Sequence, residues 1–154
     1  MLSRVSDRTD ASWLSARAHR PNILSMTLLG RAKVVCFVAT AKPPSARTFC
    51  AEVLGLKLVE ETPYALVFDA NGTTLRVQEV EAVTPPKYTV LGWEVDDIRS
   101  VARALRAGGV RLRQYEGTDQ DADGIWASPS GALVAWFEDP DGNRLSLTQL
   151  RTAG

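Results

Sequence analysis

The stretch ALVAWFEDPDGNRLSLTQL, residues 132–150, decides the fold because it contains two strand-like segments joined by a tight acidic turn. Residues 132–138 are mainly apolar, and residues 143–150 alternate between apolar and polar side chains, as strands do. Proline followed by Asp-Gly, as in residues 139–142, is typical of a β-turn. We therefore predict two strands connected by this turn.

A similar strand–turn–strand unit, ALVFDANGTTLRVQEV, occupies residues 65–80. Its Asn71-Gly72 pair is the strongest short-range signal of a β-hairpin. A strand, a helix and a further strand precede each unit. The predicted strands are 33–40, 56–61, 88–95 and 110–116. The first predicted helix begins near Pro44 and ends at Gly55. The second begins at Asp96 or Asp97 and ends at Gly108-Gly109.

The order strand–helix–strand–strand–strand thus occurs twice, and such a duplication predicts an α+β fold. Each half alone has too few strands to bury both faces of its sheet. We predict two βαβββ modules that form one curved mixed sheet of about eight strands, with the helices on its outer face. The concave inner face stays free, and concave surfaces are where small molecules bind.

The domain organisation follows from composition. Residues 1–31 are rich in Ser and Arg and show no strong period, so we expect a flexible N-terminal extension. Met26 is an alternative start, which would leave out residues 1–25. Residues 32–151 are predicted to form one domain, with module one at 32–80, a linker at 81–87 that contains Pro85 and Pro86, and module two at 88–150.

The overall composition excludes several classes of protein. A formal net charge of zero argues against a nucleic-acid-binding domain, which usually has a basic excess. No run approaches the roughly 20 apolar residues of a membrane span. Cys36 and Cys50 indicate free thiols in a reducing compartment, so we expect a cytoplasmic protein. The single histidine, His19, lies in the extension, which argues against histidine-based catalysis in the domain.

Two acidic loops resemble calcium-binding sequences but lack a required ligand. A calcium loop of the EF-hand type needs Gly at its sixth position and Glu at its twelfth. Counted from Asp139, Gly142 is fourth and Leu150 is twelfth. Counted from Asp119, the twelfth residue is Ser130. We therefore predict a turn at DPDG and a solvated loop at residues 119–130.

Four segments together resemble the vicinal oxygen chelate superfamily, also called the glyoxalase/bleomycin resistance/dioxygenase fold. The segments are FCAEVLGLKLVEE (49–61), ALVFDANGTTLRV (65–77), VLGWEVDDI (90–98) and GIWASPSGALVAWFEDPDGNRLSL (124–147). The resemblance covers residues 33–150, and small bacterial glyoxalase-like proteins are the most similar group. It implies the duplicated βαβββ frame, a small-molecule ligand and a homodimer.

The resemblance also implies metal-ligand positions on the first and last strand of each module, where relatives have His, Glu or Gln. In this chain those positions fall on Val35, Arg76, Val90 and Ser146. None of the four is a good ligand, and the positive charge of Arg76 would repel a divalent cation. We therefore expect no metal and no other cofactor.

The concave face follows from strand alternation around those positions. It includes Thr74, Gly92, Glu94, Arg144 and Thr148, and Trp136 and Trp126 lie before the DPDG turn. Trp93 has the opposite parity and is predicted to be core, and Cys50 is predicted to be an inert helix thiol. The predicted ligand-binding residues are Phe37, Arg76, Gln78, Tyr88, Trp126 and Trp136.

Arg76 is the most informative of these residues, because an inward-facing arginine needs a partner. One interpretation is an internal ion pair with Glu94 or another acid, since buried charges are generally paired. The other is an anchor for a carboxylate or phosphate group of a ligand.

The sequence leads to three hypotheses of function. The first is a metal-independent small-molecule binding protein that holds an organic ligand in the concave cavity. The alternative is a glyoxalase-like lyase or isomerase with a buried carboxylate as general base; Glu94 is the weak candidate, Glu138 is a second, and the catalytic residue is otherwise unknown. The third is an interaction module whose hollow is filled by its own side chains or by the N-terminal segment.

The metal expectation can be tested directly by elemental analysis. We expect the purified protein to contain no stoichiometric zinc, nickel, manganese or iron, because the four strand positions lack ligand side chains. Stoichiometric metal would instead support a glyoxalase or dioxygenase activity and contradict the assignment of those positions.

Overall fold

The computed structural model describes residues 28–151. The chain divides into two compact units, Met1–Lys33 and Val34–Gly154. Of the first unit only residues 28–33 are described, and they are exposed. Most of the predicted extension, including His19, therefore lies outside the described residues.

The second unit contains two successive βαβββ modules. The first has β1 (Val35–Thr40), α1 (Pro43–Thr48) continued by a π-helical turn (Phe49–Val53), β2 (Lys57–Glu61), β3 (Ala65–Ala70) and β4 (Thr73–Glu79). The second has β5 (Thr89–Glu94), α2 (Ile98–Ala107), β6 (Ile125–Ala127), β7 (Leu133–Glu138) and β8 (Arg144–Gln149). The α+β fold of two βαβββ modules is confirmed.

The eight strands form two four-stranded mixed sheets with the same topology. Their orders are β1-β4-β3-β2 and β5-β8-β7-β6. The pairs β1–β4 and β5–β8 are parallel, and the other pairs are antiparallel. β1 and β5 are neighbouring edge strands, but no backbone ladder joins them in the described chain, so the sheet is divided rather than continuous.

The prediction of a strand at residues 110–116 is wrong. This segment makes one backbone bond to β7, from Arg113 N to Trp136 O at 2.7 Å. The Gln120 side chain supplies its other partners, because it accepts from Tyr115 N and donates to Arg113 O. The second strand of module two is instead β6, so Trp126, which we placed in a loop, lies on a strand opposite Val134.

The predicted turn and cap signals are confirmed. Asn71 and Gly72 both have positive φ, 54° and 87°, as a type I′ hairpin turn requires. The Asp97 side chain caps α2 by accepting from Ser100 N at 3.1 Å. Gly55 follows the π-helical turn with φ of 69°.

The core lies between the helices and the helix-facing side of the sheets. Phe68, Phe137 and Ile98 are fully buried there. Trp93 packs on this side against Phe137, with ring centroids 6.4 Å apart and nearly parallel planes, so its predicted place in the core is confirmed. The opposite side of each sheet carries neither α1 nor α2, the helices of the described chain; we call it the open face, and it corresponds to the predicted concave face.

The DPDG sequence forms the predicted turn. Gly142 N donates to Asp139 O at 3.0 Å, and Gly142 has φ of 85°. The Asp139 carboxylate accepts from the backbone N–H groups of Asp141 and Asn143 and from the Asn143 amide. Burial raises the pKa of Asp139 above its usual value, although these hydrogen bonds oppose the shift.

The same turn also joins the two modules. The Asp141 carboxylate accepts from the Thr40 hydroxyl and, at 2.9 Å, from Ala41 N, at the end of β1. Asn143 Nδ2 donates to Ala39 O at 2.8 Å. Thr40 is only 1% exposed, so its hydroxyl depends on this carboxylate. Side-chain bonds therefore connect the modules where ladder bonds are missing.

The acidic loop at residues 119–130 is held by ion pairs to α2. Asp121 accepts from Arg99 Nη2 at 2.8 Å, and Asp123 accepts from Arg106 Nη1 at 2.8 Å. These side chains are partly exposed, so residues 119–124 agree with the prediction of a solvated loop, whereas Ile125–Ala127 of the same segment form β6. Two arginines of α2 are thus the partners of these carboxylates.

Replacing Asp141 tests the connection between the modules. Asp141→Ala should lower the free energy of unfolding by about 2–3 kcal/mol, because the buried Thr40 hydroxyl and Ala41 N–H lose their acceptor. Denaturant unfolding provides the measurement. Asp119→Ala, which removes an exposed aspartate of the other acidic loop, should change stability by less than about 0.5 kcal/mol. Equal effects of the two variants would contradict the role of Asp141.

Candidate functional site

The open face of the first sheet is built by strand register. Phe37 on β1 and Val67 on β3 flank Arg76 on β4, and Ala39 and Ala65 flank Gln78 one pair further along. Since side chains two residues apart share a face, the predicted grouping of the β1 and β4 residues is correct.

A cavity of about 490 Å³ lies on this face. Its volume falls within the range of roughly 300–1,000 Å³ that is usual for small-molecule sites. Phe37 and Tyr64 are 58% and 78% exposed, so their rings are available to a ligand. The lining residues are Phe37, Thr62, Pro63, Tyr64, Ala65, Arg76 and Gln78.

The turn between β2 and β3 supplies one wall of this cavity. Thr62 Oγ1 accepts from Tyr64 N at 3.2 Å and from Ala65 N at 3.0 Å, which fixes the turn. Sequence reasoning missed Thr62, Pro63 and Tyr64. The available signal was an exposed aromatic residue next to a proline in a short connection, and only the fold shows which face that connection borders.

Arg76 is half-buried at the cavity and has no acidic partner among the described residues. The predicted pairing with Glu94 is not formed, because Glu94 lies on β5 in the other sheet. Two acids of the same face, Glu60 and Asp69, sit opposite Val67 and Thr74 rather than beside Arg76. Neither lines the cavity.

The open face of the second sheet has a different character. Gly92 on β5 and Trp136 on β7 flank Ser146 on β8. Ser146 is buried, and a Cβ at Gly92 would lie 2.5 Å from its hydroxyl oxygen. Only glycine fits beside Ser146 without displacing it.

The register also shows which residues lie side by side at the strand positions where the resemblance implied metal ligands. Phe37, not Val35, lies beside Arg76. A bulge between Thr89 and Leu91 takes Val90 out of the ladder, and Val90 packs on the core, so Gly92 is the residue beside Ser146. Sequence counting could not detect the bulge.

These residues do not fit a divalent metal. Phe37 and Gly92 provide no donor, Arg76 is a cation, and Ser146 offers a single neutral hydroxyl. No group of three or more His, Cys, Asp or Glu side chains that could hold an ion occurs within residues 28–151.

An aromatic cluster fills part of the second open face. Trp126 and Trp136 have ring centroids 6.0 Å apart, and Tyr115 meets Trp136 edge-on at 5.6 Å. The Arg144 guanidinium lies 4.5 Å from the centroid of the Tyr115 ring and donates to Lys87 O at 2.6 Å. Tyr115 was missed because it lay in the segment that we predicted as a strand.

The six predicted ligand-binding residues therefore fall into separate groups. Phe37, Arg76 and Gln78 line the cavity of the first sheet. Trp126 and Trp136 belong to the aromatic cluster of the second. Tyr88 is 69% exposed and belongs to neither group.

The candidate acid–base groups lack the environment that the lyase or isomerase hypothesis requires. Glu94 is exposed rather than buried. Glu138 pairs with Arg113 at 3.0 Å. Cys50 is buried beneath the helix, and burial raises its pKa to about 12, so the thiol stays protonated at neutral pH. This geometry supports the prediction that Cys50 is inert.

The fold and the open face define a duplicated βαβββ protein with a ligand-sized cavity. Residues 33–147 match the Glyoxalase/Bleomycin resistance protein/Dioxygenase superfamily, and the chain belongs to it. A comparison with curated proteins finds no match.

Solved structures of the same fold are similar at low sequence identity. A lactoylglutathione lyase from Agrobacterium tumefaciens is 16% identical, with a TM-score of 0.61, covering 77% of this chain and 93% of that one. A glyoxalase/bleomycin resistance protein/dioxygenase from Nocardioides is 18% identical, with a TM-score of 0.61 and 93% of each chain covered. A glyoxalase family protein from Enterococcus faecalis is 18% identical, with a TM-score of 0.58, covering 75% of this chain and 94% of that one. At these identities the similarity establishes the fold alone.

Within the described part of the chain, neither helix has the length and apolar character that a membrane span requires.

The raised pKa of Cys50 predicts a loss of stability at high pH. The thiol ionises near 9.0 when unfolded but near 12 when folded. Above about pH 9 the unfolded state releases a proton that the native state keeps, so stability falls, by about 1.4 kcal/mol near pH 10. The free energy of unfolding of the wild type should therefore decline relative to that of Cys50→Ala over this range.

The chain's other cysteine gives the control for this experiment. Cys36→Ala should keep the wild-type pH dependence, because Cys50 is intact. Parallel curves for the wild type and Cys50→Ala would show that burial does not suppress ionisation of this thiol.

Proposed function

We propose that this protein is a metal-independent small-molecule binding protein of the glyoxalase/bleomycin resistance type. It holds an organic ligand in the cavity on the open face of the first sheet. The observation that carries the proposal is the cavity of about 490 Å³ with two exposed aromatic rings and the Arg76 guanidinium, which forms no ion pair within residues 28–151. Apolar walls with a few polar groups are the usual composition of such sites.

The nature of the side chains supports binding without metal chemistry. The strand positions beside Arg76 and Ser146 carry Phe37 and Gly92, which have no donor atoms. Phe37 and Tyr64 instead offer apolar surface, whose removal from water on binding stabilises a complex by about 25 cal/mol per Å² before the costs of association.

The aromatic cluster is the proposed second contact region. Trp126 and Trp136 are half-buried and lie on the same side of their sheet as Ser146. A ligand that extends from the first open face to the second would stack on them, and Tyr88 would contribute an exposed ring. This proposal keeps all six predicted residues as ligand contacts, with Phe37, Arg76 and Gln78 as the primary set.

The proposal includes the cytoplasmic homodimer that the family resemblance implies. The free thiols of Cys36 and Cys50 suit a reducing compartment. Exposed apolar side chains at Val34, Val35 and Val59 offer surface that association would bury. The molar mass of the purified chain in solution tests the assembly.

A thermal-shift screen of small organic molecules tests the binding function. A ligand at 100 times its Kd should stabilise the protein by about 2.7 kcal/mol and raise the midpoint, because it binds only the native state. Phe37→Ala and Arg76→Ala should reduce the shift, and Trp136→Ala should do so for ligands that reach the aromatic cluster.

The matched control is Leu150→Ala, which removes an exposed apolar side chain outside the cavity. It should keep the wild-type shift. A ligand whose shift survives in Phe37→Ala, Arg76→Ala and Trp136→Ala binds elsewhere and would contradict the proposed site.

A further inference from the structure

The electrostatics of the first cavity indicate the charge of its ligand. Arg76 is the only charged residue among the seven that line it. Its guanidinium is half-buried and forms none of the five ion pairs found within residues 28–151. The cavity therefore contains a positive charge with no protein carboxylate beside it.

Arg144, on the open face of the second sheet, has partners for part of its guanidinium, although its buried Nε has none in the described chain. Arg144 donates to Lys87 O and lies over the Tyr115 ring. Within the described chain, Arg76 has neither a carbonyl acceptor nor an aromatic ring as its partner. Its five N–H donors form a planar fork that matches a carboxylate or phosphate group.

The two acids of the same face form no ion pair with Arg76 within residues 28–151. Glu60 is separated from Arg76 by the whole width of β3, since Val67 lies between them in the register. The Asp69 carboxylate already accepts from Gly72 N at 2.7 Å in the hairpin turn. Neither Glu60 nor Asp69 pairs with Arg76, so the Arg76 guanidinium is available to an anion in the cavity.

The rest of the lining indicates the body of the ligand. Phe37 and Tyr64 present exposed rings, and Pro63 lies between Thr62 and Tyr64 in the bordering turn. Gln78 is two residues from Arg76 on the same face of β4 and supplies a neutral amide. A flat apolar group with an anionic end matches this arrangement of rings and charge.

We infer that the cavity selects anionic aromatic molecules, with a carboxylate or similar anion on Arg76 and the ring system against Phe37 and Tyr64. The inference rests on the proposed function and narrows its ligand class. Cationic ligands are disfavoured, because they would meet the Arg76 charge without a neighbouring acid to offset it.

Two probes with the same ring system separate charge from shape. Isothermal titration of the full chain with 2-naphthoate and with 2-naphthamide measures the preference for the anion. The carboxylate should bind roughly 10-fold to 100-fold more tightly, as expected for a charge-assisted pair. Added salt should reduce the preference, because it screens the pair.

Variants of Arg76 assign the preference to this side chain. Arg76→Gln should bind both probes with similar affinity, and Arg76→Lys should retain part of the preference because it keeps the charge. Arg103→Gln, which removes an exposed arginine of α2, should behave as the wild type. The thermal midpoint of each variant confirms that it is folded, and the salt dependence of the wild type stands independently of them.

The possible outcomes separate this inference from the proposed function. Equal affinities of the wild type for both probes would overturn the anion preference and leave small-molecule binding intact. A preference that persists in Arg76→Gln, or that is lost in an Arg144→Gln variant instead, would overturn the role of Arg76. Failure of both probes to bind would contradict the ligand class and weigh against the proposed function.

Discussion

The carboxylate of Asp141 connects two modules that no backbone ladder joins within residues 28–151. It accepts from the Thr40 hydroxyl and Ala41 N, while Asn143 donates to Ala39 O. The turn after β7 is therefore hydrogen-bonded to the end of β1. These bonds and the shared core fix β1 beside β5. The positions of the two open faces depend on this contact, because β1 belongs to the first sheet and β5 to the second.

The two modules have the same topology, but the side chains on their open faces differ. In the first, Phe37 and Arg76 stand where Gly92 and Ser146 stand in the second. The first face therefore has a cavity with a positive charge, and the second is partly filled by the Trp126, Trp136 and Tyr115 rings. A symmetrical metal site would require donors at both places. The asymmetry instead favours a ligand held by one charge and several rings.

Most of the fold could be predicted from sequence, because local signals determine it. Asn71-Gly72, the Asp97 cap, the apolar runs of β3 and β7 and the alternation of β8 are visible without tertiary information. Residues 110–116 also alternate, yet the Gln120 side chain takes the place of a neighbouring strand. A local sequence pattern cannot show that a side chain from another segment replaces the bonds of a neighbouring strand. The strand β6 was missed for the same reason.

The candidate site was predictable only in part. Alternation placed Phe37, Arg76 and Gln78 on one face correctly, since a regular strand keeps its period. The bulge at Val90 broke that period on β5. The cavity wall at Tyr64 depends on how β2 and β3 connect, and the role of Asp141 depends on a contact 100 residues away in sequence. Such features arise from packing and leave no local signature.

A crystal structure of the protein with 2-naphthoate tests the central claim most directly. We predict electron density for the naphthyl ring against Phe37 and Tyr64, with the carboxylate within hydrogen-bonding distance of the Arg76 guanidinium. A ligand bound elsewhere, or a metal ion seated between Arg76 and Ser146, would contradict this account of the molecule.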